Sequence, residues 1–350
     1  MNEPKSSRYH RLARRAGLVS LALTTGLLVL MAAVQPGWPV VMYALILTAL
    51  HELITFPVSW YRGFLLEQRY ELSSEPFAAW FRDHLKGFAL VSVFSGAIAW
   101  GVYRLMAASP RWWWVLAAVA GTLVTLLLAR LAPVILLPLF YRFTPLERPA
   151  LQARLMALSE RAGVPVLGVF EWGLGEKTRR ANAALVGSGR TRRILLSDTL
   201  LSEYSDDEIE VILAHELAHH VHHDIGKGIL LEFALLLASG FVAATVLNAA
   251  WAQIGLQGPA DPAGLPVLVL AAGAVMLAAT PLVLAFSRAN ERRADAFAIE
   301  LTKRNGAFVS AMRRLGAQNL EEERPSAASV WLFYSHPPIE ERIAAARPLR

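Results

Sequence analysis

Six long apolar runs limit what this chain can become more than any other feature of its sequence. Ala16 to Val34, Gly87 to Tyr103, Trp112 to Ala129, Phe233 to Ala260 and Leu265 to Ser287 contain no Asp, Glu, Lys or Arg. Each is about the length a helix needs to cross roughly 30 Å of hydrocarbon. Val40 to Ser59 is as apolar except for His51 and Glu52 near its middle. A core helix of a large soluble protein would show a polar position every three or four residues, and these runs show no such stripe. The sequence therefore predicts an integral, multi-pass membrane protein with about six spans. The first run follows Arg14 and Arg15 and ends in small residues at Ala32 and Ala33, as a cleaved signal peptide would, but its length favours a retained anchor.

Charge sets the orientation. With a cytoplasmic N-terminus, the loops left outside are Gln35 to Pro39, Arg104 to Arg111 and the segment around Asp261, and they hold only Arg104 and Arg111 of 34 Lys and Arg residues. The positive-inside bias then puts the Tyr61 to Lys86 loop, the Arg142 to Lys227 region and the C-terminus in the cytoplasm. The expected layout is an N-terminal membrane region with four spans over residues 1–140, a polar part over 141–227, a membrane hairpin over 228–287 and a second polar part over 288–350. The first polar part reads as α+β, with a helical pattern from Pro149 to Ala162 and short β-rich runs at Val166 to Glu171, Ala183 to Val186 and Arg193 to Leu196. The fold class is thus mostly α: a helical membrane bundle with a cytoplasmic α+β domain split by the last hairpin. A net charge of +6 with 55% hydrophobic residues suits basic loops at an anionic membrane surface better than a nucleic-acid partner.

The chain has no cysteine, so any metal must be held by nitrogen or oxygen. Ser205 followed by Asp206, Asp207 and Glu208 reads as a capping box with acids in the first turn, and Ile209, Val211, Ile212 and Leu213 continue it as a helix. That helix presents His215, Glu216, Leu217, Ala218 and His219. Imidazoles four residues apart lie one above the other on a helix face, so both can grip one ion while Glu216 reaches the water that such an ion activates. This is the zinc-protease HExxH pattern. Chance alone would produce it in roughly one chain in seventy of this composition, so the rest of the site has to decide. A catalytic zinc needs a third protein ligand. Glu291 and Asp295 stand four apart where the chain returns from the last hairpin, Glu291 suited to be that ligand and Asp295 to accept from a ligand imidazole. Spacing alone leaves a second reading open, in which both pair with Arg288 and Arg292 on a solvated helix.

Several separated segments share a further likeness. Pro138 to Leu146 (PLFYRFTPL), Asn182 and Ala183, Arg193 to Leu201 (RILLSDTLL), the HELAH helix, Asn290 to Asp295 and Ser335 to Pro338 resemble the membrane-embedded zinc metallopeptidases known as type I CAAX prenyl endopeptidases. So do Glu67 to Tyr70, and the similarity covers roughly Leu53 to Arg342 in the family's order. The resemblance implies a zincin-like protease domain with one Zn2+ per chain on His215, His219 and Glu291. It implies Glu216 as general base and later proton donor, His336 as a stabiliser of the oxyanion, and Asn182 beside an edge strand, Ala183, Ala184, Leu185 and Val186, along which substrate is held. The expected partners are a peptide or protein substrate, lipidated or not, and membrane lipid.

Two departures bear on substrate: the Glu171 to Lys177 loop lacks the family's aspartate and serine pattern, and the N-terminal region is one span shorter than in eukaryotic members. A related stress-response branch of quality-control metalloproteases shares HExxH, the Asn-Ala strand and the distant glutamate but not Phe143 to Leu146. A transporter or scaffold with a vestigial site is a third reading. Alanine and arginine richness hints at a bacterial inner membrane, with the site facing the cytoplasm. His220, His222 and His223 read as solvated or interfacial, whereas His51 and Glu52 either line an interior aqueous chamber or pair with each other.

Overall fold

The computed structural model describes residues 4–346 apart from Ser188 and Glu323. Helix α1 (Lys5–Val34) is followed by α2 (Val40–Trp60), which a π-helical turn, Tyr61–Leu65, joins to α3 (Leu66–Arg69). Then come α4 (Phe77–Ala108) and α5 (Trp113–Leu131), whose axis is prolonged to Leu139. After strand β1 (Phe143–Pro145) the chain forms α6 (Pro149–Arg161), β2 (Gly168–Trp172), β3 (Ala183–Val186) and β4 (Arg193–Ser197). Helices α7 (Asp198–Glu203), α8 (Asp206–Val221), α9 (Asp224–Ala250), α10 (Leu265–Thr302), α11 (Asn305–Gln318), α12 (Ala327–Phe333) and α13 (Ile339–Ala345) complete it.

Six of these helices, in the expected order, are long and apolar enough to cross a membrane. The fifth is displaced from its expected place: α9 begins at Asp224 rather than Phe233 and stops at Ala250, leaving Trp251 to Asp261 as turns. Gly255, at φ 79°, Gly258 and Pro259 break the apolar run before Ala260. At the other end Glu232 is tolerated inside the helix because its Oε1 accepts a hydrogen bond from Thr125 Oγ1 of α5 at 2.7 Å.

The strands form one sheet in the order β1-β2-β4-β3. Parallel β2 and β4 lie at its centre, and Ile194, Leu195 and Leu196 of β4 are buried on both faces. Strand β3 pairs antiparallel to β4 and presents its other edge unpaired. Sequence reading missed β1, a three-residue strand antiparallel to β2. Two large interiors result, with a small third one of Tyr9, Leu66, Tyr70 and Leu72. Leu151, Leu155, Ile194, Leu200, Ile209, Leu213, Leu217 and Phe308 fill the core between sheet and helices α6, α8 and α11. Tyr43, Met106, Trp113, Ala243 and Leu265 knit the spans together at the far end of the bundle. Helix α10 connects the two large ones: it continues from the last span, through Pro281, and about 40–45 Å of helix carries Glu291 and Asp295 to the flank of α8.

Candidate metal centre

Helix α8 starts on the capping box that the sequence predicts. Ser205 Oγ accepts from Glu208 N at 3.3 Å, and Glu208 Oε2 accepts from Ser205 N at 2.8 Å. From that fixed start, Ile209, Leu213 and Leu217 recur on the buried face, which presses the helix into the core and turns His215 and His219 toward α10. The two rings lie with centroids 5.1 Å apart and nearly perpendicular. Glu291 faces both: its Oε2 is 3.2 Å from His215 Nε2 and its Oε1 is 3.5 Å from His219 Nε2. One ligand atom from each of the three residues falls within 4.8 Å of the others.

Behind each ring stands a carboxylate. Asp295 Oδ1 is 2.9 Å from His215 Nδ1, and Asp224 Oδ2 is 3.0 Å from His219 Nδ1. With Nδ1–H donating in both rings, each Nε2 lone pair is left for the centre. Asp295 is also gripped by Arg342, Nε to Oδ2 at 2.8 Å and a terminal nitrogen to Oδ1 at 2.6 Å. The solvated-helix alternative therefore fails: Asp295 is 3% exposed, Arg292 pairs with Glu341, and Arg288 donates to the carbonyls of Val330 and Tyr334. His336 places Nδ1 2.7 Å from Glu291 Oε2 while more than half its side chain stays exposed. Sequence reasoning overlooked Asp224 and Arg342. Asp224 follows His223, whose left-handed backbone (φ 55°) ends α8 and swings the next residue back under His219. Arg342 shares a helix face with Ile339 and Ile343, and an arginine within an apolar stripe signals a buried partner.

Comparison with known proteins agrees with this constellation. The model of peptidase family M48 matches residues 145–350. The chain belongs to peptidase family M48. A second model, CAAX prenyl protease N-terminal, five membrane helices, matches residues 14–142, where four long apolar helices stand among the described residues. The chain is 30% identical to an uncharacterized metalloprotease of Bacillus subtilis, YhfN, over 87% of its own length and 72% of the relative's. It is 26% identical to CAAX prenyl protease 1 of Saccharomyces cerevisiae, over 86% and 70%. It is 33% identical to protease HtpX of Xylella fastidiosa, over only 48% and 63%. The crystal structure of S. mikatae Ste24p has the same fold, with TM-score 0.85 and 22% identity over 98% of this chain and 88% of that one. The protein is thus a multi-pass membrane metallopeptidase of the CAAX-protease type.

In this M48 peptidase Glu216 lies beside the three-residue centre, where burial pushes its carboxyl above the ordinary carboxylate range, partly offset by His215 and His219. Burial pushes His215 down, but hydrogen bonds to Asp295 and Glu291 prevail and carry it up to about 9. The half-buried strand β3 runs alongside α8, and His220 bonds to the Leu185 backbone, fixing the strand against the motif helix. Asn182 is exposed at the start of β3, and its carbonyl accepts from Ser197 N at 2.9 Å. His222 packs edge-on against Phe297, its buried Nδ1 without a hydrogen-bond partner among the described residues, and His223, exposed, makes the turn. His51 and Glu52 do not pair; His51 Nε2 meets Thr24 Oγ1 at 3.0 Å and Glu52 meets His84 Nε2 at 2.6 Å.

Proposed function

We propose that this M48 peptidase is a zinc-dependent endopeptidase with His215, His219 and Glu291 as the metal ligands. The convergence of those three side chains from two helices carries the reading. Two imidazole nitrogens and one carboxylate, without cysteine, fit a catalytic zinc that keeps an open position. When bound, zinc acts as a Lewis acid and brings the pKa of water toward neutrality. Glu216, its proton affinity raised by burial, takes the proton from the attacking water and returns it to the leaving amine. His336, held with Nδ1 2.7 Å from Glu291 Oε2 at the edge of the centre, is assigned to stabilising the oxyanion that develops on the peptide carbonyl. Asp295 and Asp224 hold the ligand rings in their tautomers. The peptide adds as a strand to β3, along Ala183, Ala184 and Leu185 next to Asn182, where backbone bonding demands little of sequence.

We carry over the substrate class of the CAAX prenyl protease relatives: C-terminal peptides of lipidated proteins, cut at a cytoplasmic face of a bacterial inner membrane. The positive-inside charge bias and the match across both family models support this. The HtpX likeness supports a quality-control role less, because it spans about half of the chain, against 86% for CAAX prenyl protease 1. Purified Glu216→Gln protein is expected to retain close to one zinc per chain and lose peptide cleavage by on the order of a thousand-fold. A zinc-free wild type, or a variant that cuts as well as wild type, overturns the proposal. Cleavage of a farnesylated peptide as against a misfolded membrane protein separates the two substrate classes.

A further inference from the structure

A cavity of about 840 Å³ opens where the edge strand begins, and its wall includes Arg62, Glu67, Trp172, Lys177, Arg180 and Asn182. Two of its three cations are already engaged. Lys177 pairs with Asp83 and donates to the Phe140 carbonyl at 2.6 Å, and Arg180 donates to Tyr9 Oη at 2.8 Å and pairs with Glu67 at 3.0 Å. Arg62 differs: among the described residues its guanidinium has no hydrogen-bond or ion-pair partner. It sits on the π-helical turn Tyr61–Leu65, a backbone irregularity that concentrates at functional sites. Among the described residues the indole N–H of Trp172 and Nε of Arg180, both buried on the same wall, also find no acceptor. Of the carboxylates on the wall, Glu67 is held by Tyr9 and Arg180, and burial pushes Glu75 upward. The cavity thus offers several donors, among them a guanidinium with no bonded acidic partner among the described residues.

We propose that Arg62 binds the C-terminal carboxylate of the peptide substrate, so that a free carboxyl terminus is recognised beside the edge strand. Direction follows from the sheet. Strand β3 is antiparallel to β4, and a peptide that extends the antiparallel ladder on the free edge gains the better-aligned hydrogen bonds. Such a peptide runs from the Val186 end toward Asn182, so its C-terminal side leads into the cavity. A guanidinium there meets a carboxylate with a planar pair of donors. The inference rests on the peptidase reading above and names what that site selects.

The test uses full-length protein in nanodiscs and one fluorogenic farnesyl-cysteine peptide in three forms: free C-terminal acid, C-terminal amide, and amide ending in Asp. Wild type is expected to cleave the acid with kcat/KM roughly ten- to a hundred-fold above both amides, chiefly through KM. Arg62→Gln should bring the acid down to the amide's value, and Arg62→Lys should keep part of the preference; zinc content of each variant checks the fold. Equal cleavage of acid and amide by wild type, or a full preference in Arg62→Gln, overturns the assignment. Full activity on the Asp amide overturns terminal selection in favour of any carboxylate. A preference that vanishes when phosphatidylglycerol is added to phosphatidylcholine discs overturns it in favour of a lipid headgroup. Cleavage of the plain amide by wild type, absent in Glu216→Gln, reports on the peptidase reading independently.

Discussion

His215 and His219 stand one turn apart on the same helix, yet the molecule supports them in opposite ways. His215 is buried, and the carboxylate behind it comes from 80 residues further along the chain and is itself clamped by buried Arg342. His219 is partly open to solvent, and its carboxylate lies five residues on, shared with Lys227 and Arg293, whose side chains are 40% and 47% exposed. The inner network is dry and wholly long-range; the outer one, although Asp224 is buried, reaches water through Lys227 and Arg293 and draws mainly on near neighbours. Removing one member of a desolvated pair strands the other charge in a low-dielectric interior, whereas a pair that reaches water is screened. The inner ring is therefore a product of tertiary packing, and the outer ring of local chain geometry.

Substitutions should expose that contrast. Asp295→Ala leaves Arg342 buried without its partner, so a loss of about 3–5 kcal/mol in stability and on the order of 100-fold in zinc affinity is expected, read by denaturation and chelator competition. The inner ring should next show itself through pH. Because His215 titrates near 9 in the metal-free protein, an incoming cation must displace a proton at pH 7, and affinity should fall about tenfold for each unit below that range. The folded-state pKa is raised, so the proton's contribution to metal-free stability is full below 6.5 and is lost as pH rises through about 9. Calorimetry in buffers of different ionisation enthalpy should count close to one proton released by wild type at pH 7, and fewer by Asp295→Ala.

Asp224→Ala, on the outer side, should cost only about tenfold in affinity and under about 1 kcal/mol in stability. If it matches Asp295→Ala, the distinction between dry and wet support is wrong. Smallest of all, Ser205→Ala should cost about 1 kcal/mol at the start of α8 and leave zinc affinity unchanged, because packing of Leu213 and Leu217 still fixes the two rings. A shift in affinity there would mean that the cap, not the core, sets the ligands.

The parts legible in sequence are those written in short-range periodicity. Six apolar runs give six long helices, Ser205 and Glu208 give the cap, and the i, i+4 spacing of His215 and His219 gives two rings on one face. Ala183 to Val186 is legible as a strand for the same reason. Hydropathy misplaced α9, because an uncharged run continues through glycines and a proline that cannot stay helical, and because Glu232 finds a partner on another span. Asp224 escaped notice since it lies beyond a left-handed residue that periodicity does not register, and Arg342 since its partner is distant in sequence.

By itself the sequence determined a membrane-spanning helical protein and two imidazoles on one helix face, because hydrophobic length and helical phase depend only on neighbouring residues; Glu291 and Asp295 it nominated through spacing and resemblance, with a solvated-helix reading still open on spacing alone. That Glu291 and Asp295 face the rings rather than solvent, that Asp224 and Arg342 complete their support, and that Arg62 has no bonded partner among the described residues were decided by tertiary structure. Those are matters of which charges share a desolvated space, and the free energy of a buried charge depends on partners that chain order does not specify.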